Sequence, residues 1–175
     1  MGRSSASQDL EKKEESDSEE EAEDEIFASV EYVCSLIDGE VSRGVKLERI
    51  VVGGFSQGCA ISLVTGLASR YAGRLGAVVG LSGYLIGGKR AREGRRGYLR
   101  SNGKEEGNGN RGMKVFLAHG TKDMLVPMRV FRKGREKVEG ALGEVEVHEY
   151  EGLGHATSGV EFRDMCEFLE RVVPP

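Results

Sequence analysis

The chain has 175 residues, of which 38% are hydrophobic and 31% charged, and its formal net charge at pH 7 is −4. This length suits one domain of ordinary size and excludes a large two-domain enzyme. No run of 18 apolar residues predicts a membrane-spanning helix, and the polar first residues do not resemble a secretory signal, so we expect a cytoplasmic protein. Cys34, Cys59 and Cys166 are too widely spaced to predict a disulfide framework or a zinc site, and we expect all three to be buried.

Charge is distributed unevenly along the chain. Residues 1–25 hold eleven acids against three bases, whereas the remaining residues hold 18 acids and 22 bases. An acidic run with nothing apolar to bury repels itself, so residues 1–24 are predicted to form a disordered leader. Residues 87–112 are rich in glycine and bases, which predicts a long flexible loop. The folded domain is therefore expected to occupy residues 25–175.

Apolar patterns predict alternating helices and strands within this domain. Continuous apolar, β-branched runs predict buried strands, at 49–54, 75–81, 113–118 and 145–150. Helical periodicity predicts the segments between and around them, at 26–44, 57–71, 128–142 and 158–172. The inward side chains of the last helix are expected to be Phe162, Met165, Cys166 and Leu169. This alternation predicts an α/β fold with a mostly parallel sheet flanked by helices.

The strongest local motif is Gly54-Phe55-Ser56-Gln57-Gly58, which joins a predicted strand to a predicted helix. A serine on such a tight strand-to-helix turn is lifted above the sheet edge, where it can act as a nucleophile. We expect Gly54 and Gly58 to remove side chains that would collide across the turn. The backbone N–H of Gln57, at the positive end of the helix, can then face a developing oxyanion. The same spacing also occurs in ordinary strand-loop-helix turns.

A serine hydroxyl needs a base, and the chain has three histidines. His148 is predicted to lie on the sheet surface, and His119 to bond the turn after the third strand. His155 lies in a Gly-rich loop after the fourth strand and is the base we favour. Asp123 can orient it, although Asp123 taken alone can equally shape a turn. Together, Ser56, Asp123 and His155 follow the chain order of α/β-hydrolases at three strand-end loops.

At these residues the chain resembles the acyl-protein thioesterases, also described as the phospholipase/carboxylesterase family of α/β-hydrolases. The resemblance runs from about Asp24 to Pro175 and covers four motifs, Gly53 to Gly58, Leu81 to Leu85, His119 to Pro127 and Tyr150 to His155. It implies cytoplasmic and also nuclear serine hydrolases that need no cofactor or metal. Their expected substrates are palmitoyl thioesters of protein cysteines, lysophospholipids or small carboxyl esters. It implies peripheral membrane contact and no nucleic-acid partner.

The resemblance also assigns roles to individual residues. Ser56 corresponds to the nucleophile, His155 to the general base, Asp123 to the residue that orients it, and Gln57 to an oxyanion donor through its N–H. The family's early strands and their His-Gly loop, which supplies a second oxyanion donor, have no match here. We therefore expect an N-terminally truncated α/β-hydrolase fold. Loss of one oxyanion donor costs about 10²–10³ in rate.

Two hypotheses from other function classes stay open. A hydrolase remnant, or the product of an incomplete reading frame, would act at most as a lipid- or protein-binding module. A nucleic-acid-binding module would use the basic residues between 89 and 114, but this hypothesis rests on charge alone. The oligomeric state does not follow from the sequence.

Overall fold

Four parallel strands form the centre of the molecule. The structure, a computed structural model, describes residues 5–86, 89–102, 112–142 and 145–173. The strands lie side by side in chain order and are β1 (Val51–Phe55), β2 (Ala77–Leu81), β3 (Lys114–Gly120) and β4 (Glu146–Tyr150). Their register places one residue of each strand in a row across the sheet, namely Phe55, Leu81, Ala118 and His148. The predicted α/β fold with a parallel sheet is confirmed.

Within the residues that the structure describes, five helices connect and cover these strands. They are α1 (Ser5–Ser42), α2 (Gln57–Ala68), α3 (Lys89–Asn102), α4 (Met128–Leu142) and α5 (Gly159–Val172), with a short 3-10 turn at Leu47–Arg49. Because a parallel strand must be reached by a crossover, a helical segment separates each strand from the next. Within the described ranges, no helix combines the length and apolar character needed to cross a membrane.

The sheet separates two apolar layers of unequal size. Alternate residues of the central strands face opposite sides, as the pleat requires. Val78, Val115 and Leu117 face the larger core, together with apolar residues of α1, α2 and α4. Val79 and Phe116 face the smaller core, which α5 covers through Phe168. The carboxyl ends of all four strands consequently meet at one edge between these layers.

The first helix begins earlier than its apolar pattern predicts. Residues 1–24 were expected to be a disordered leader, but α1 runs from Ser5 to Ser42. Among the side chains that the structure describes on α1, Glu23 is 8% exposed, and Ile26 and Val30 follow on the same buried face. Glutamate, lysine and alanine are good helix formers, which is consistent with helical backbone through the acidic segment.

The basic segment 87–112 was also predicted incorrectly, because α3 occupies residues 89–102 of the expected flexible loop. Ala91 is fully buried, and a Cβ placed on Gly94 would lie only 2.7 Å from the Cβ of Ala68 on α2. Glycine at this position thus allows the close approach of two helices. Arg90, Arg92 and Arg96 remain exposed. The rest of the predicted loop, at 87–88 and 103–111, lies outside the described residues.

The inward face of α5 differs from the prediction at two of the four expected positions. Phe168 and Glu161 are buried, whereas Phe162 is 45% exposed and Cys166 is also exposed. The prediction of three buried cysteines is therefore wrong for Cys166. The apolar pattern does not reveal Glu161 as an inward residue, since a carboxylate is costly to bury unless it is bonded. Its side chain accepts the backbone N–H of Ser158 in a capping box at the start of the helix.

Candidate active site

Ser56 lies between the last residue of β1 and the first residue of α2. Its φ of 56° and ψ of −118° are values that residues with a side chain rarely adopt. The turn is held on both sides. The N–H of Ser56 donates to the carbonyl of Leu81 at 2.9 Å, and its own carbonyl accepts the N–H of Cys59 at 3.0 Å. Strained backbone of this kind persists where its surroundings fix it, and it recurs at catalytic sites.

The two glycines of the motif have different structural requirements. A Cβ on Gly54 would overlap the backbone of Gly58, whose Cα would lie 2.7 Å away. A Cβ on Gly58 would meet nothing within 4 Å among the described residues. The expectation that both glycines prevent a collision is therefore wrong for Gly58. Gly54 is the one that allows the start of α2 to pack against β1.

His155 reaches Ser56 from the loop that follows β4. Its Nε2 lies 3.0 Å from the hydroxyl oxygen of Ser56, although 99 residues separate the two in the chain. Its Nδ1 lies 2.7 Å from Oδ2 of Asp123. Phe55 packs against the imidazole with 4.8 Å between ring centroids. Since only 15% of the His155 side chain is exposed, the ring is held between the hydroxyl, the carboxylate and an aromatic neighbour.

Asp123 is buried and its two carboxylate oxygens have separate partners. Oδ1 accepts the backbone N–H groups of Leu125 and Val126 at 2.9 and 2.8 Å, and Oδ2 faces His155. Asp123 therefore both shapes a turn and contacts the imidazole, two roles that are not exclusive in this structure. Burial raises the pKa of Asp123, but its bonds to Val126, His155 and Leu125 outweigh this effect. Its pKa accordingly lies below the ordinary value of 3.8, so the carboxylate is ionised near neutral pH.

Gly120, the last residue of β3, belongs to the motif from His119 to Pro127, but its contact with a second loop was not predicted from the sequence. A Cβ on Gly120 would overlap the carbonyl oxygen of Leu153 and lie 2.7 Å from that of Gly154. The His155 loop therefore crosses directly over the end of β3 on its way to Ser56. The N–H of Lys122 donates to the carbonyl of Leu153 at 2.9 Å and fixes this crossing. A glycine at a strand end is a weak signal without the three-dimensional path of the second loop.

Gln57 is the first residue of α2 and is exposed. The first N–H groups of a helix have no partner within the helix, and the helix dipole places partial positive charge there. This N–H is thus suited to stabilise negative charge on a substrate oxygen beside Ser56. The role of Gln57 as an oxyanion donor stays a prediction.

The other two histidines occupy different environments. His148 lies on β4, where its Nε2 is 3.0 Å from a carboxylate oxygen of Glu146 and its ring stacks on Phe116. His119 is fully buried, and its Nε2 lies 2.8 Å from the carbonyl oxygen of Val126, so the expected bond to the turn after β3 is confirmed. In the part of the chain that the structure describes, no three His, Cys, Asp or Glu side chains cluster as metal ligands would.

The fold and the site together define a class of protein. A parallel sheet flanked by helices carries a serine on a strained strand-to-helix turn, with an aspartate and a histidine on later strand-end loops. This topology and this chain order characterise the α/β-hydrolases.

Comparison with known proteins narrows this class. The model of the phospholipase/carboxylesterase family matches residues 9–173, so the chain belongs to that family. It is 36% identical over 151 residues to acyl-protein thioesterase 1 of Aspergillus fumigatus, a match that covers 86% of this chain and 58% of that protein. Its identity to acyl-protein thioesterase 1 of Emericella nidulans is 37% over 150 residues, covering 85% and 58% of the two chains.

A solved structure is also similar to this chain over most of its length. The crystal structure of Arabidopsis thaliana SOBER1 matches with a TM-score of 0.67 and 25% sequence identity, and the match covers 85% of this chain and 64% of that one. The chain therefore spans less than two thirds of the length of these relatives.

Proposed function

We propose that this chain is a serine hydrolase that forms an acyl-enzyme on Ser56. The observation that carries this proposal is the continuous hydrogen-bonded chain from Ser56 Oγ to His155 and on to Asp123, with distances of 3.0 and 2.7 Å. A serine hydroxyl is a weak nucleophile without a base, and an imidazole needs a carboxylate to hold its tautomer. The three side chains fulfil both requirements through two consecutive hydrogen bonds.

The reaction begins with attack of Ser56 Oγ on the carbonyl carbon of an ester or thioester. Nε2 of His155 takes the hydroxyl proton and returns it to the leaving alcohol or thiol when the tetrahedral intermediate collapses. A water molecule then attacks the acyl-enzyme while His155 accepts one of its protons. Breakdown of the second intermediate releases the acid and restores the Ser56 hydroxyl with that proton. Asp123 stabilises the imidazolium of His155 during both acylation and deacylation by accepting a hydrogen bond from its Nδ1–H.

Negative charge develops on the substrate carbonyl oxygen in each tetrahedral intermediate. The N–H of Gln57 is our proposed donor to this oxygen, because it lies at the N-terminus of α2 next to Ser56.

The substrate class that we propose is an S-acylated cysteine, such as a palmitoyl thioester of a protein, with lysophospholipids and small carboxyl esters as further substrates. The fungal relatives named acyl-protein thioesterase 1 support this choice. Exposed apolar side chains near the three residues also favour an acyl chain over a sugar or phosphate, and they are Phe55, Met124 and Leu125. We propose a cytoplasmic and nuclear location with peripheral membrane contact.

The test of this function uses a medium-chain acyl thioester and a fluorophosphonate probe. Replacement of the nucleophile in Ser56→Ala should lower hydrolysis at least about 10³-fold and abolish labelling by the probe. Ser35→Ala on the exposed side of α1 is the matched control and should behave as the wild type. Equal hydrolysis by wild type and Ser56→Ala, without labelling of Ser56, would refute the proposal.

That outcome would favour a second function class, a lipid- or protein-binding module without turnover. One observation supports it. Within the described residues, β1 pairs only with β2 and leaves its outer edge, next to Ser56, without a neighbouring strand. Retention of a non-hydrolysable acyl thioether by Ser56→Ala and wild type alike, with no turnover, would distinguish this class from the enzyme.

A further inference from the structure

His119 is a buried histidine beside the three residues of the proposed mechanism, and it has no role in that mechanism. It is fully buried near the end of β3, with its ring stacked on Phe131 of α4 at 4.4 Å between centroids and 12° between planes. Its Nε2 lies 2.8 Å from the carbonyl oxygen of Val126 and 3.7 Å from Oδ2 of Asp123. Its ring therefore borders the turn that carries the Asp123 carboxylate.

These contacts determine where the ring carries its proton. A carbonyl oxygen only accepts hydrogen bonds, so Nε2 of His119 must be the protonated nitrogen that donates to Val126. Nδ1 is then a bare acceptor, and it is buried without a partner in the described part of the chain. The separation of 3.7 Å from Asp123 is too long for a hydrogen bond. The bond from His119 to Val126 therefore connects the ring to Asp123 through the backbone of the turn.

Burial keeps the His119 ring neutral near pH 7, because it holds the pKa below the ordinary value of 6.5. Burial lowers its pKa most strongly, and the nearby positive form of His155 acts in the same direction. The bond to Val126 and the carboxylates of Asp123 and Glu149 act in the opposite direction but do not outweigh burial. Glu149 on β4 is itself engaged by Arg132 of α4 at 2.6 Å. A neutral ring with one N–H is suited to anchoring a carbonyl.

The turn depends on such polar anchors because much of it is not packed. Met124 is 87% exposed and Leu125 is 75% exposed, whereas Val126 is 7% exposed. On one side of the turn, Asp123 Oδ1 accepts the N–H of Leu125 and of Val126. On the other side, the carbonyl of Val126 is held by His119. The bond from His119 thus ties the turn to the rigid third strand.

We propose that His119 is a positioning residue that fixes the Val126 carbonyl and, through the 123–126 turn, the orientation of the Asp123 carboxylate toward His155. This inference rests on the proposed function, since it gives the turn a catalytic consequence. Misplacement of a reacting or orienting group by about 1 Å can cost about 10²-fold in rate. The role requires an N–H at the position of Nε2 and not a positive charge.

Three substitutions separate this role from simple packing. His119→Gln places an amide N–H near the position of Nε2, His119→Asn is one methylene shorter and cannot reach Val126, and His119→Leu has no donor. We expect kcat for thioester hydrolysis to fall about 10- to 100-fold in the Asn and Leu variants with KM changed less than about twofold. His119→Gln should restore kcat to within about threefold of the wild type. His148→Leu, on the neighbouring strand, is the matched control and should retain wild-type kcat.

The split between kcat and KM, together with its rescue by the conservative variant, is a readout that loss of packing alone would not produce. A loosened Asp123 carboxylate orients His155 less well in the transition state, whereas substrate binding does not depend on it. Equal impairment of all three variants would overturn the proposal. Wild-type kcat in His119→Leu would overturn it as well.

An experiment that does not require substrate turnover distinguishes failure of this inference from failure of the proposed function. If the wild type neither hydrolyses thioesters nor reacts with a fluorophosphonate, the proposed function fails. Hydrogen exchange of the Leu125 and Val126 amides, which donate to Asp123 Oδ1, then tests His119 directly in the full chain. Faster exchange in His119→Leu that returns to the wild-type rate in His119→Gln would support the positioning role. Exchange unchanged in His119→Leu would overturn it.

Discussion

Ser56 and Ser82 are the two residues other than glycine that have a positive φ in the part of the chain that the structure describes, with values of 56° and 46°. They follow the ends of adjacent strands, β1 and β2. Gly83, next to Ser82, lies so close to the turn that a Cβ there would be 2.6 Å from the carbonyl oxygen of Ser56. The strained conformation of the nucleophile is therefore enforced by several close backbone contacts.

The elbow glycines give a prediction at this scale. In Gly54→Ala the new methyl group overlaps the backbone of Gly58, so unfolding free energy should fall by about 1–3 kcal/mol. In Gly58→Ala the methyl group meets open space on α2, and stability should stay within about 1 kcal/mol of the wild type. Urea titration of both variants measures the difference. Equal destabilisation of the two would contradict this account of the elbow.

At the scale of elements, helix α3 is held by a residue that is distant in sequence. The carboxylate of Glu23 on α1 accepts the N–H of Ala91 at 2.8 Å and that of Arg90 at 3.4 Å. Arg90 also lies over the ring of Phe27, with its guanidinium carbon 4.0 Å from the ring centroid. Glu23 thereby satisfies N–H groups that the start of a helix leaves without partners and adds negative charge at the positive end of its dipole.

This cap predicts a local effect of Glu23→Ala. Loss of a side-chain cap costs about 1 kcal/mol, which should increase hydrogen exchange of the α3 amides about fivefold. Alanine preserves helix propensity in α1, so the effect should be confined to the contact with α3. Glu25→Ala, at an exposed position of the same helix, is the control and should leave α3 exchange unchanged. An equal response to both substitutions would contradict a specific cap.

The elements that could be predicted from the sequence are those with a local apolar pattern. The four strands and helices α2, α4 and α5 follow from local apolar patterns, and their predicted bounds lie within three residues of those observed. Helix α3 has few apolar residues, and its cap lies 68 residues from Ala91, so no local pattern reveals it. The elbow and the strand-end histidine and aspartate were visible as motifs. The contact of Gly120 with the second loop depends on tertiary geometry and was not.

At the scale of the whole molecule, the three cysteines differ in how deeply they are buried. Cys34 and Cys59 lie in the larger core with 0% and 2% of their surface exposed. Burial raises the pKa of Cys59 to about 12, although backbone N–H groups of Gly83 and Tyr84 oppose this effect. Cys166 lies on the outer side of α5. Thiol reactivity therefore reports on the integrity of the core.

We expect one equivalent of a maleimide to react rapidly with the native protein, at Cys166. The other two thiols should react only when the chain unfolds, because both access and thiolate formation are suppressed in the core. Mass spectrometry after timed quenching counts the modified sites, and Cys166→Ser should remove the rapid phase. Rapid modification of all three cysteines in the native protein would show that the larger core does not form as described.

The candidate site draws its side chains from the ends of β1, β3 and β4, so it spans the width of the sheet. Neighbouring strands are about 4.8 Å apart, and a slip of one residue moves a strand about 3.3 Å along its length. The separation of 3.0 Å between His155 and Ser56 cannot survive such a displacement. Sliding of one strand along its neighbour would break the contact between His155 and Ser56 while every helix and strand persisted. The reactivity of Ser56 is therefore a more sensitive measure of native strand alignment than the secondary-structure content.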